Sequence, residues 1–168
     1  MVDRVSALWI VTILLVTLLA GLAFAHVLEY AAKVQYDAQL YVQLQKTLYV
    51  QWGPPHIGGF LEPVAILSTG LLAFGVRSDR VGLGLTLAAL VALLTAFPVV
   101  FFLWVAPANA FFATANLSAI DASWTLARAD WEMGHAIRFG LQSTAALLLL
   151  AGLARRSAFG GCPAPRAT

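Results

Sequence analysis

Four apolar runs, 5–27, 60–76, 81–106 and 136–154, decide what this chain can fold into. Each approaches or exceeds the ~20 residues a helix needs to cross the hydrocarbon core of a bilayer. Lipid offers no water to backbone N–H and C=O groups, so each run is predicted to close its own hydrogen bonds as a helix. With 61% hydrophobic and 11% charged residues over 168 positions, and a mean hydropathy of +0.84, the chain is too apolar for an ordinary soluble domain. The expected fold is all-α, a four-helix transmembrane bundle in the lipid bilayer with spans at about 5–33, 58–76, 81–106 and 122–154. These form one membrane domain over 1–158, with an interfacial helix at about 37–52 and a flexible tail at 159–168. The tail holds Cys162, which has no second cysteine for an internal disulfide. Pro98 lacks an amide hydrogen and is expected to kink the third span.

Basic residues orient the spans. Arg4, Arg77, Arg80, Arg155, Arg156 and Arg166 fall at one set of helix ends, Lys33, Lys46, Arg128 and Arg138 at the other. Cytoplasmic loops carry the excess of Lys and Arg, so both termini of this multi-pass chain are predicted to be cytoplasmic. Asp3 and Asp79 join the inner group, while Glu29, Asp37, Glu62, Asp121, Asp130 and Glu132 lie outside. The formal net charge of +2 therefore hides a positive inner and a negative outer face. No Lys/Arg cluster of the kind that grips phosphate backbones occurs, which argues against nucleic acid as a partner. Ala23-Phe24-Ala25 resembles a signal-peptidase site, but its apolar run has the length of a spanning helix and is expected to remain one. Gly82 and Gly84 lack the preceding strand and full glycine pattern of a dinucleotide site, so close helix packing is expected there.

The long connections lie on the outer side. Over 36–52, Leu40, Leu44 and Leu48 make an apolar edge among Gln39, Gln43, Gln45 and Gln51, and Asp37 is placed to cap, which predicts an interfacial helix over the bundle. Tyr36, Tyr41, Tyr49 and Trp52 suit the headgroup level. Gly53-Pro54-Pro55 then ends the helix, since consecutive prolines cannot continue it. The second outer connection, 107–120, carries Asn109, Phe111, Phe112 and Asn116 and is expected as a loop, with Asp121 capping the last helix.

Trp124, Arg128, Trp131, His135, Arg138 and Gln142 recur at spacings of four, three, four, three and four, which is one stripe on a helix. Arg138 and Gln142 enter the apolar run, so another helix must cover them. His26, Glu29, Tyr30 and Lys33 share a face near the outer end of the first helix, His56 precedes the second, and Glu62 lies about one turn inside. Antiparallel neighbours bring all of these to one membrane face. A charged side chain at membrane depth costs roughly 2.5–3.5 kcal/mol on insertion scales, so Glu29 or Glu62 is expected to pair with Arg138. Snorkelling of Arg138 to the interface is the alternative.

A largely apolar pocket with a few oriented polar groups is the usual site for a small ligand, here a lipophilic or aromatic molecule. In an enzyme of this kind His135 would take and return protons, Glu62 would act as base, and Arg138 would stabilise an enolate or phenolate. His26, Glu29, Asn109, Trp124, Arg128, Trp131 and Gln142 are the candidate substrate-binding residues. No cofactor is required by that reading. A haem or another metal held by His26 and His135 from antiparallel helices is a second reading, although no haem-attachment motif or clustered metal spacing accompanies them. A noncatalytic membrane module, in which the stripe only locks the helices, is a third. A channel fits less well, because the inner halves of the helices are nearly all Leu, Val, Ala and Ile; oligomerisation stays open.

Ordered motifs carry a family resemblance. Ala25-His26-Val27-Leu28-Glu29, Tyr41-Val42-Gln43 with Tyr49, and Gly58-Gly59-Phe60-Leu61-Glu62-Pro63 look like the first half of the anthrone-oxygenase-like membrane proteins. Pro107-Ala108-Asn109, Trp124, Arg128-Ala129-Asp130-Trp131-Glu132 and His135-Ala136-Ile137-Arg138 are similar to the second half, so the likeness covers most of 5–154. The family's commoner form has Asn at the position of His135, and the His26/Glu29 pair marks a subgroup. The resemblance implies a four-helix membrane fold and a cofactor-independent oxygenase that converts anthrones to anthraquinones. It assigns the chemistry to His135 and Arg138, with Asn109 and Trp131 shaping the site.

Overall fold

A computed structural model describes residues 3–54 and 56–159; Cys162 and the expected tail beyond 159 lie outside the described residues. Among the described residues the helices are α1 (Arg4–Lys33), α2 (Ala38–Thr47), α3 (Ile57–Gly75), α4 (Arg80–Thr114) and α5 (Trp124–Phe159), with a 3₁₀ turn at Tyr49–Gln51. α1, α3, α4 and α5 are long and apolar enough to cross a membrane. The fold is an all-α, four-helix transmembrane bundle with a short helix between the first two spans, and the chain is a multi-pass membrane protein. α1 packs on α5, α5 on α4, α4 on α3 and α3 on α1, which closes a ring of antiparallel neighbours.

Side-chain size sorts inside from outside in the manner of a membrane protein. Ala20, Ala23, Ala65, Ala89, Ala92, Ala96 and Ala145 are buried between helices, while Leu14, Leu18, Leu67, Leu71, Phe74, Val91 and Leu147 point outward. Lipid tails are as apolar as leucine, so helices gain by approaching closely through small residues rather than by hiding large ones. Gly152 shows the limit of that approach: a Cβ there would collide with the six-membered ring of Trp9, which is itself buried.

The face bearing residue 3 and the 76–79 turn is held by charge. Asp3 caps α1, its Oδ1 accepting from the N–H groups of Val5 and Ser6 at 3.0 Å each, and Arg156 reaches the same oxygen at 3.2 Å. The Ser6 backbone bond, ahead of the Arg156 guanidinium, holds the Asp3 carboxyl down at about 2. Arg155 donates to both oxygens of Asp79, at 2.9 and 2.7 Å, and is the main cause that holds that carboxyl below the usual range. A short turn over 76–79 joins α3 to α4.

Two sequence expectations change on the opposite face. The segment 107–120 is not a loop throughout: α4 continues to Thr114. Its middle, Thr95–Val105, is π-helical, and the Ala106 N–H bonds back to the Phe101 carbonyl in the i→i+5 pattern. Pro107 then falls in the first turn of the α-helical piece Ala106–Thr114, where a missing N–H costs little. Pro98 lies inside this π-helical stretch, whose wider turns accommodate a residue without an N–H. α2 begins as expected, with Asp37 accepting from the Leu40 N–H at 2.8 Å, but it does not rest on its leucine edge. Leu40 and Leu48 are exposed, and Tyr41, Val42, Gln45 and Tyr49 face inward. Polar partners waiting inside the bundle explain the rotation.

Candidate functional site

α3 has 19 residues, against 30 in α1, 35 in α4 and 36 in α5. One corner of the bundle is therefore short on the α2 side, and the segment from α2 to Pro54 fills it only partly. Beneath lies a cavity of about 510 Å³. Its polar lining includes His26 of α1, Gln45 of α2, Tyr49 and Trp52 beyond it, Glu62 of α3, Asn109 of α4, and Trp131, His135 and Arg138 of α5. Val50, which is exposed, and Lys46, whose Nζ donates to the Ala113 carbonyl at 3.0 Å, lie on its rim.

α4 contributes Phe97, Phe101, Val105, Asn109 and Ala113 to one wall at four-residue intervals. In an α-helix each step of four overshoots a turn by about 40°, which would carry such a series off one face. The i→i+5 turns over Thr95–Val105 are wider than four residues, so they rotate the series back. A π segment inside an otherwise α-helical span thus builds the aromatic wall.

The polar layer lies between two apolar cores, one containing Trp9, Val16, Leu72 and Leu149 and the other Tyr41, Val42, Phe112 and Trp131. Arg138 and Glu62 form an ion pair from α5 to α3. Gln142 Nε2 donates to the same Glu62 oxygen at 3.3 Å, and Phe101 offers its ring to the guanidinium at 5.4 Å. Between Glu29 and Glu62 as partner for Arg138, the fold selects Glu62, and Arg138 is buried rather than snorkelling. The rings of His26 and His135 lie 4.1 Å apart between centroids. Trp131 stands 4.7 Å from His26 and 4.3 Å from His135, and its Nε1 donates to Asn109 Oδ1 at 2.9 Å.

Against the α2 face sits a second network that sequence reasoning did not assemble. Lys33 is 1% exposed, with Nζ 3.1 Å from Glu132 Oε2 and 3.7 Å from Glu29 Oε2. It lies over the rings of Trp131 and Tyr49 at 4.6 and 5.2 Å. Tyr41 OH donates to Glu132 Oε1 at 2.9 Å and Tyr49 OH to Glu29 Oε2 at 2.6 Å. Burial, then the adjacent carboxylates, push both phenols upward, so they stay donors. Tyr41 and Tyr49 are thus buried structural ligands of carboxylates rather than headgroup-belt residues. The one signal for this network was the His26-to-Lys33 spacing; Glu132 lies off the α5 stripe.

The expected site residues divide accordingly. His26, Glu62, Asn109, Trp131, His135 and Arg138 line the cavity; Glu29, Trp124, Arg128 and Gln142 do not. Glu29 sits behind His26, and Gln142 lies a turn beneath the cavity, fully buried. Arg128 stacks on Trp124 at 4.7 Å, outside the mouth where a substrate role had been expected. His56 shares the membrane face but is exposed and absent from the lining. Among the described residues no three His, Cys, Asp or Glu side chains are grouped to hold a metal ion. Two imidazoles in direct ring contact also leave no room for an iron–porphyrin plane between them, so bis-histidine haem ligation by His26 and His135 does not fit. No family model, curated protein or solved structure matches the chain.

Proposed function

We propose that the cavity binds a lipophilic hydroxyaromatic molecule and that the protein oxidises it with molecular oxygen without a cofactor, as the likeness to anthrone-oxygenase-like membrane proteins suggests. One observation carries this reading. His26 Nδ1, Gln45 Nε2, Glu62 Oε2, His135 Nδ1 and Arg138 Nε are buried without a hydrogen-bond partner, and all five residues line the same cavity. An unpaired buried polar atom costs about 1–3 kcal/mol, and the grouping of five around one cavity is what favours a ligand there. A ligand with a carbonyl and a hydroxyl would supply what is missing.

For an anthrone, His135 takes a proton from the ring methylene while an Arg138 N–H donates to the developing enolate oxygen. Oxygen adds to the carbanionic carbon, and the peroxide oxygen recovers the proton from His135. Loss of the second ring hydrogen, with cleavage of the O–O bond, leaves the quinone carbonyl and water. One oxygen atom enters the product and the other leaves in water. Glu62, already tied to Arg138 and Gln142, orients the guanidinium rather than acting as a free base. The basic bias toward residues 4, 77, 80, 155 and 156 supports a cytoplasmic assignment of that face, with the cavity on the outer side.

The test uses the purified full chain in lipid nanodiscs with a hydroxyanthrone and dissolved oxygen. Wild type is expected to consume one oxygen per quinone formed. His135→Ala and Arg138→Lys, both still folded, are expected to lose about 100-fold or more of the rate. Variants that turn over like wild type, or a wild type that binds no hydroxyaromatic ligand, overturn the proposal and leave the stripe as a helix lock.

A further inference from the structure

Glu29 lies between the protein surface and the buried His26 and does not itself line the cavity. Its side chain is 36% exposed, against 6% for His26. Its Oε2 accepts from Tyr49 OH at 2.6 Å, lies 3.7 Å from Lys33 Nζ and lies 3.9 Å from His26 Nδ1. That imidazole nitrogen is buried without a hydrogen-bond partner, and its ring touches the His135 ring. The other charged group near Glu29 is Glu132 of α5, which holds Lys33 from the far side at 3.1 Å.

We propose that Glu29 is a relay residue that exchanges protons between exterior water and His26, which passes them to and from His135. A proton arriving from water is taken by the Glu29 carboxylate. Rotation of the carboxyl, or one bridging water, spans the 3.9 Å gap, and the acid O–H bond breaks as the His26 N–H bond forms. The reverse sequence returns the proton to water. When a lipophilic ligand fills the cavity and excludes water, this is the path left by which the histidine pair equilibrates with the exterior. The catalytic consequence rests on the proposed oxygenase reading, in which net turnover is proton-neutral, so the relay resets the pair between steps rather than feeding stoichiometric protons. Tyr49 acts as the latch that holds the carboxylate at its exposed position.

The chain has three histidines, so ring nitrogens are resolvable by nuclear magnetic resonance in ¹⁵N-histidine-labelled full chain in nanodiscs. The quantity read is water exchange of the His26 ring N–H while saturating anthraquinone, which cannot turn over, fills the cavity that His26 lines. Glu29→Gln is expected to slow it by about tenfold or more, a modest share of what positioned proton transfer supplies, while Glu29→Asp restores most of it and His56 does not change. Unchanged His26 exchange in folded Glu29→Gln overturns the proposal. If that variant does not fold, Tyr49→Phe decides: freeing the carboxylate is expected to accelerate exchange, and an unchanged or slower rate overturns the relay. The measurement needs a bound aromatic but no turnover, so failure of oxidation leaves it standing, and oxidation with unaltered exchange removes the relay alone.

Discussion

Glu62→Gln is expected to be among the costliest near-isosteric changes in this protein, and the reason lies in which charge it strands. Glu62 and Arg138 are 3% and 8% exposed and reach each other from α3 and α5, helices on opposite sides of the ring. Removing one member of a buried pair while the other stays charged costs about 3–5 kcal/mol. For a chain of this size that lowers the unfolding midpoint by about 6–20 °C, at about 2–4 °C per kcal/mol. Arg138→Met should cost less, because a carboxylate left in an apolar layer can take up a proton whereas a guanidinium cannot lose one. The double variant Glu62→Gln/Arg138→Met keeps an acceptor for Gln142 and removes both charges, so it should recover most of the loss. Reversible unfolding in mixed micelles, followed by tryptophan fluorescence, measures all four members of the cycle. Additive single effects, or Glu62→Gln within about 1 kcal/mol of wild type, would refute the buried pair as the tie between α3 and α5.

Two further outcomes follow from other parts of the bundle. Gly152→Ala forces a Cβ into the Trp9 ring and should destabilise by about 1–3 kcal/mol; Trp9→Phe removes the ring that collides, so the double variant should be more stable than Gly152→Ala alone in the same unfolding assay. Asp3 has a depressed folded-state value, near 2 against 3.8 in the free side chain. Its contribution is therefore complete above about pH 4 and lost as pH falls toward 2. Asp79 shifts in the same direction, and acid unfolding curves of Asp3→Asn and Asp79→Asn should be flatter than wild type across that window, whereas parallel curves would contradict the assigned ion pairs.

Local sequence determined the four spans, the start of α2 and the polar faces of α1 and α5, but neither the face that α2 buries nor the end of α4. The four spans, the Asp37 cap and the α5 stripe are properties of single helices, and a 3.6-residue period or an apolar run of sufficient length is visible without any partner. The spacing of His26 and Lys33 on α1, and of Trp131, His135 and Arg138 on α5, was legible for the same reason. The pairing was decided by height and rotation between helices, which no period encodes. Glu29 and Glu62 are equivalent partners for Arg138 along the chain, and the fold brings Glu62 to Arg138 and Glu29 to Lys33. Tyr41 and Tyr49 read as headgroup residues because their acceptors, Glu132 and Glu29, lie 91 and 20 positions away. The π segment has no sequence signature beyond Pro98 in an apolar run, yet it turns Phe97, Phe101, Val105 and Asn109 onto one wall. Sequence alone specified a membrane bundle with polar residues on one face; tertiary structure divided them into an ion pair, a lysine–carboxylate network and a cavity, because each partner is chosen by distance in space rather than along the chain.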